Sequence, residues 1–195
     1  VTETEKYIGN LYLVKFYNKI EDAREISAKI NACSRMDQPE IALLLCLGNS
    51  KIRKKAEKIY VKYRQHIISG LKFIAKNENI YGKEYVIINA KNNVKDTIIG
   101  TLASIISFSS LYREGTIIIA MAYIGTKIKV STRLVGRNNQ SSRNLKELMD
   151  SITNILGKGE SGGHKNAAGC TIELEHEERF IELIKRKLEY EQIKI

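Results

Sequence analysis

The 195 residues predict an α/β fold in two parts, a helical N-terminal connector over residues 1–80 followed by a mixed-sheet α/β domain over 81–195. Three observations carry that prediction. Apolar residues recur every three or four positions through the first third of the chain, the pattern breaks in a short polar loop (NENIYGK), and beyond it strand-length apolar runs alternate with amphipathic helical stretches. A hydrophobic content of 43% is enough to fill a core. Charged residues are 28% of the chain, and no uncharged apolar run reaches the ~18 residues of a membrane span, so a soluble protein is expected and a membrane partner is not. Cys33, Cys46 and Cys170 are odd in number and lack Cys-x-x-Cys spacing. Disulfide scaffolds and zinc ribbons therefore drop out, and with no basic-then-apolar leader the expected location is the reducing cytoplasm.

The elements follow in order. A first helix is expected from Glu21 to about Ala32, with Ala23, Ile26 and Ile30 on one face and acidic residues in its first turn. Pro39 suits the first turn of a second helix that runs through IALLLCL and stops at Gly48, and Ser50 is positioned to cap a third. From Lys51 to about Lys76 the apolar residues Ile52, Ala56, Ile59, Tyr63, Ile67, Leu71 and Ile74 mark an amphipathic helix. On its opposite side Lys51, Lys55, Lys58 and Lys62 form a basic stripe, able to follow a phosphate backbone or to serve as a solvated face. Cys33 and Cys46 fall within these helices as small buried hydrophobes.

After the polar loop, Tyr85–Asn89 reads as a buried strand, and Asp96 caps a helix carrying Ile98, Ile99, Leu102, Ile105 and Ile106. TIIIAMAYI from Thr116 is a second strand, joined through a turn at Gly125 and Thr126 to a third. There Ile128, Val130 and Thr132 face one way and Lys127, Lys129, Ser131 and Arg133 the other. The polar loop Gly136–Arg143 leads to a helix with Leu145, Leu148, Met149, Ile152 and Ile155 inward, which Gly157 ends. A glycine-rich loop, a short strand Cys170–Leu174 and a last amphipathic helix with Phe180, Leu183, Ile184 and Leu188 complete the chain. Tyr112 and Tyr123 are expected to pack in the core, with base stacking as their other use.

The net charge of +10 is not spread evenly. Residues 51–100 carry +8 and residues 101–150 carry +4, while each flank sits at −1. Clustered Lys and Arg suit a polyanion through phosphate neutralisation and equally suit a solubility surface. The stretch Gly157–Gly169, GKGESGGHKNAAG, holds five glycines and one histidine in thirteen residues. Glycines let backbone N–H groups approach an anion, Ala167 and Ala168 keep the following turn small, and His164 would point into the concavity as a donor to a phosphate or leaving group.

SGGHKNAAG resembles the GGGH-x-x-AAG signature of the DHH-associated C-terminal domain in the DHH phosphoesterase superfamily. The strand bearing Ser131 and Arg133 resembles the family's Ser-x-Arg strand, and Asp22–Asn49 is similar to the interdomain segment of RecJ-like exonucleases, the archaeal branch being closest in character. Ser161 stands where the family has its first glycine. The resemblance implies that Gly162, Gly163 and His164 form a substrate-facing loop, that His164 also serves catalysis, and that Arg133, with Ser131 beside it, binds a phosphate of single-stranded DNA or RNA. Independently, arginine offers a planar bidentate fork for phosphate oxygens.

The family hydrolyses phosphodiesters with two metal ions, usually manganese (or magnesium), held by an Asp- and His-rich DHH domain. Four aspartates (Asp22, Asp37, Asp96, Asp150) and three histidines (His66, His164, His176), with no aspartate adjacent to a histidine, do not supply such a site. No metal is therefore expected in this chain, which is expected to bind without cutting as one half of a nuclease of DNA repair or replication. The resemblance leaves two other readings open. One is an oligoribonuclease or cyclic-dinucleotide phosphodiesterase domain; the other is a scaffold docking GINS or other replication proteins.

Overall fold

The computed structural model describes residues 9–136 and 143–190. The chain divides into the units Val1–Gln65 and His66–Ile195.

In the first unit, β1 (Leu13–Phe16) and β2 (Lys19–Asp22) form an antiparallel hairpin where the sequence predicts only helix. The strand pattern is missing because neither face is buried: Leu13 on one is 59% exposed and Val14 on the other 40%. The turn is made by two non-glycine residues with positive φ, Tyr17 and Asn18. It is anchored instead by the Tyr17 hydroxyl, 2.9 Å from the Leu45 carbonyl and 3.1 Å from that of Asn49, with the Arg53 guanidinium over its ring. Helix α1 (Ala23–Arg35) is capped by the Asp22 carboxylate, which accepts from the Arg24 N–H. Pro39 opens α2 (Pro39–Cys46) as expected. Cys46 on its last turn is exposed, correcting the expectation of a buried thiol, whereas Cys33 is buried. Asn49 and not Ser50 caps the following short 3₁₀ turn, its side chain accepting from the Lys51 N–H. Helix α3 (Arg53–Lys76) then buries Ala56, Ile59 and Tyr63 and leaves Lys55, Lys58 and Lys62 exposed.

The second unit is built on a six-stranded mixed sheet. Its strands are β3 (Ile80–Tyr81), β4 (Tyr85–Asn89), β5 (Ile117–Ile124), β6 (Lys127–Leu134), β7 (Glu160–His164) and β8 (Ala167–Glu173), in the spatial order β3-β4-β5-β6-β8-β7. Only β4 and β5 pair in parallel, joined through α4 (Asp96–Ser107). Lys95 holds the extended cap position of α4 and Asp96 is its first helical residue, so the expected Asp96 cap is replaced by a carboxylate in the first turn, which the helix dipole favours equally. One face of the sheet is covered by α5 (Leu145–Leu156) and α6 (Glu177–Tyr190); its core includes Ile117, Ile119, Met121, Ile128, Val130, Leu148, Met149, Cys170 and Phe180. Ile155, on the Leu148 edge of the stripe in the last turn of α5, projects out of it at 53% exposure, against expectation. Tyr123 packs against the core's edge and donates its hydroxyl to Glu177, which also accepts from Asn89 at 2.8 Å. Burial, then the bond to Glu177, pushes that phenol up to about 12.

On the other face α4 packs on β5 and β6, burying Ile98, Ile99, Leu102 and Ala103, while Ile105 is 38% exposed at its far side. The main correction lies in the glycine-rich segment. Most of it is not a loop but β7 and the start of β8, a hairpin completing the sheet, with β8 beginning at Ala167 instead of Cys170. Of the loop expected at Gly136–Arg143, residues 137–142 lie outside the described residues.

Candidate functional site

Directly paired residues of antiparallel strands project to the same side of a sheet. The register therefore decides what β7 does. Arg133 pairs with Ala167 and Ala167 with His164; one step along, Ser131 pairs with Gly169 and Gly169 with Gly162. All five sequence-predicted site residues thus lie on the two strands that flank β8, four of them (Ser131, Arg133, Gly162 and His164) on the face that carries α4. Strands lie about 4.8 Å apart, so the Arg133 and His164 backbones stand roughly 10 Å from each other. Between them the middle strand contributes only Ala167 and Gly169. The result is a trough with Ser131 and Arg133 on one wall, His164 on the other, and a floor of backbone and one methyl group.

The two glycines of β7 have different reasons. At Gly163 φ is +129°, and a Cβ would fall 2.4 Å from the Ala167 carbonyl oxygen, so the fold itself requires glycine. At Gly162 a Cβ would meet nothing within 4 Å. Packing does not require glycine there; its absence of side chain leaves the trough open. Ser161, in the position of the family's first glycine, points to the opposite face, where its hydroxyl donates to Asp150 Oδ1 at 2.8 Å and accepts from Thr153 Oγ1 at 3.2 Å. The departure from the triplet ties β7 to α5 and leaves the trough unaltered. The Lys146 ammonium, then the Ser161 hydroxyl, holds the Asp150 carboxyl below its ordinary range.

His164 is exposed, and the Asn166 backbone N–H lies 3.4 Å from its Nδ1. With Nδ1 accepting that bond, Nε2 is the ring nitrogen that bears a hydrogen and can donate. Arg133 is half-buried. Its Nε donates to Ser104 Oγ at 2.9 Å, and its Nη1 donates to Ser131 Oγ at 3.0 Å and to the Thr132 carbonyl at 2.7 Å. Ser131, 7% exposed, serves as an orienting acceptor for the arginine. Lys127 and Lys129 share this face, as the alternation predicts. Lys127 pairs with Glu173 at 3.8 Å, and Lys129 lies in the row of Thr171 and Glu160.

Sequence reasoning missed Ser104 and Gly100 on α4. They stand one helical turn apart in an otherwise isoleucine-rich helix, a small-residue stripe that was the available signal. Among the described residues no three His, Cys, Asp or Glu side chains converge in a way that could hold a metal ion. The donors have other work: Asp22 caps α1 and Asp150 is held by Lys146 and Ser161. The residues present do not fit a two-metal centre. No helix among the described residues is long and apolar enough to cross a membrane.

A family model, the DHHA1 domain, matches residues 82–189. Among solved structures, RecJ of Thermus thermophilus in complex with Mg2+ superposes with a TM-score of 0.63 at 19% identity, covering 83% of this chain and 24% of that one. Exonuclease RecJ bound to manganese gives a TM-score of 0.63 at 19% identity, with 83% of this chain and 39% of that one covered. The DHH domain of a member of the s1p family of ribosomal proteins gives 0.57 at 17% identity, covering 85% and 41%. No curated protein matches the chain. The similarity is one of fold, and the chain spans between about a quarter and two fifths of the length of these structures.

Proposed function

This chain belongs to the DHHA1 domain family and has the fold of the corresponding part of RecJ, and on that basis we propose that it is the nucleic-acid-binding half of a RecJ-like exonuclease acting on single-stranded DNA or RNA. The observation that carries the reading is the row Arg133–Ala167–His164, which sets a guanidinium charge and an imidazole N–H donor on either side of an unfilled floor. A phosphate resting on that floor meets the positive charge of the guanidinium from one side and the His164 N–H from the other. The backbone of β7 and β8 admits the sugar-phosphate chain where larger side chains would exclude it. The +12 carried by residues 51–150 favours a strand with several phosphates over a dinucleotide, because each neutralised phosphate adds counterion release. Hydrolysis is assigned to metals, manganese or magnesium, in a separate DHH domain. This chain's own part is to hold and orient the phosphate, with His164 positioned to donate to it or to a leaving oxygen.

The test is the anisotropy of a labelled single-stranded oligonucleotide titrated with the chain at several salt concentrations, beside the Arg133→Ala, His164→Ala double variant. The expected result is salt-sensitive binding that the double variant weakens by about tenfold or more, with a salt slope shallower by about one phosphate contact. Binding that ignores both substitutions would overturn the assignment of the site, and absence of binding would favour docking to GINS or another replication protein.

A further inference from the structure

Arg133 is useful to a phosphate only if its guanidinium is already in place, since a group on three rotatable methylenes otherwise loses rotamer entropy at each binding event. Three neutral acceptors restrain it: Ser104 Oγ on Nε, and Ser131 Oγ and the Thr132 carbonyl on Nη1. Two of these come from β6 itself and fix one edge of the guanidinium against its own strand. The third comes from a different element, α4, and holds the Nε edge of the guanidinium. Resting on the reading of the trough as a phosphate seat, we propose that Ser104 is a positioning residue for Arg133, and that Gly100 is the spacer that lets it act.

The geometry of α4 makes this specific. Ser104 Oγ donates its hydrogen to the Gly100 carbonyl at 3.0 Å, the back-bond common for a helical serine. With its proton committed there, the oxygen has only lone pairs to present, and they accept from Arg133 Nε. Gly100 lies one turn earlier on the same side of the helix. A Cβ there would fall 3.3 Å from Ser131 Oγ and 3.8 Å from Arg133 Nη2, closer to the serine than side chains ordinarily approach. Gly100 therefore brings the helix backbone near enough for Ser104 to reach the arginine.

The experiment is a double-mutant cycle on the full chain, read by anisotropy with the same labelled oligonucleotide, with thermal melts alongside. Ser104→Ala is expected to weaken binding about five- to tenfold, in line with the net worth of one typical hydrogen bond, yet to cost nothing further in the Arg133→Ala background. Ser104→Thr keeps the hydroxyl and its back-bond and is expected to restore most of the affinity. Gly100→Ala supplies a second variant. Its gain in helix propensity offsets the crowding of Ser131 Oγ, so its melting temperature is expected to stay close to the native one while binding falls; unchanged binding would overturn the spacer role. Equal effects of Ser104→Ala in both backgrounds, or no effect where Arg133→Ala is damaging, would overturn the positioning role and leave the phosphate seat standing. Indifference of binding to Arg133→Ala would instead overturn the seat, and the role of Ser104 with it.

Discussion

Strands β4 and β5 and strands β8 and β7 lie in one sheet but are made from opposite residues. YVIIN and IIIAMAYI are buried on both faces: Tyr85, Ile87, Ile117, Ile119 and Met121 join the core that includes residues of α5 and α6, α4 packs on β5 from the other side, and nearly every residue in the two strands is buried. AAGCTIE buries only alternate residues, and ESGGH is exposed along most of its length. The contrast locates the place where a sheet that is otherwise a sandwich has been left open. On the side where α4 stops at β6, the residues of β8 and β7 are small or polar, and the two groups with phosphate chemistry, Arg133 and His164, stand at the margins of the gap.

The largest effect is expected from the closed half. Ile119, fully buried on β5, should cost about 2–5 kcal/mol of stability when changed to Ala, measured by denaturant unfolding, while the affinity of the folded fraction for oligonucleotide stays unchanged. A binding loss as large as the stability loss would mean that the two halves do not divide the work of folding and function.

The open half should respond the other way. Gly162→Val adds a side chain where a Cβ meets no atom and a β-branched residue suits a strand, so stability should change by no more than about 0.5 kcal/mol. The same side chain occupies the trough floor, and oligonucleotide affinity should fall about tenfold or more by anisotropy. Undiminished affinity would show that the floor is not where the strand lies.

The two halves also differ in how legible they are in the sequence. The sandwiched strands announce themselves, because IIIAMAYI has nowhere to be except inside. The face of β6 carrying Lys127, Lys129, Ser131 and Arg133 is legible from alternation alone, and the candidate residues come from a motif. What stays hidden is pairing. ESGGH has neither β-branched residues nor a buried face to mark it as a strand, and it becomes one because β8 supplies the hydrogen bonds. The β1–β2 hairpin escapes for the same reason, its residues exposed on both sides and its turn built from Tyr17 and Asn18 without glycine. Ser104 requires more still: its role depends on how α4 is rotated over β6, which no helical periodicity specifies.

Ser161 provides the finest test of the division, since it sits in the open half's edge strand yet faces the closed side. Changing it to Gly restores the family's triplet, removes the bond to Asp150, and should leave oligonucleotide affinity unaltered because nothing in the trough moves. Its effect belongs to stability and carries a pH signature. The Asp150 carboxyl is held below its ordinary range by Lys146 and then by Ser161, so the folded state binds fewer protons there than the unfolded chain does. That contribution is present above the ordinary carboxylate range and is lost as pH falls through the lowered folded value. The variant should therefore melt slightly below the native protein at neutral pH, and the gap should close under acid. A gap that persists unchanged at low pH would assign the loss to the extra backbone freedom of glycine and not to the Asp150 bond, and a fall in affinity would place Ser161 on the trough side of the strand.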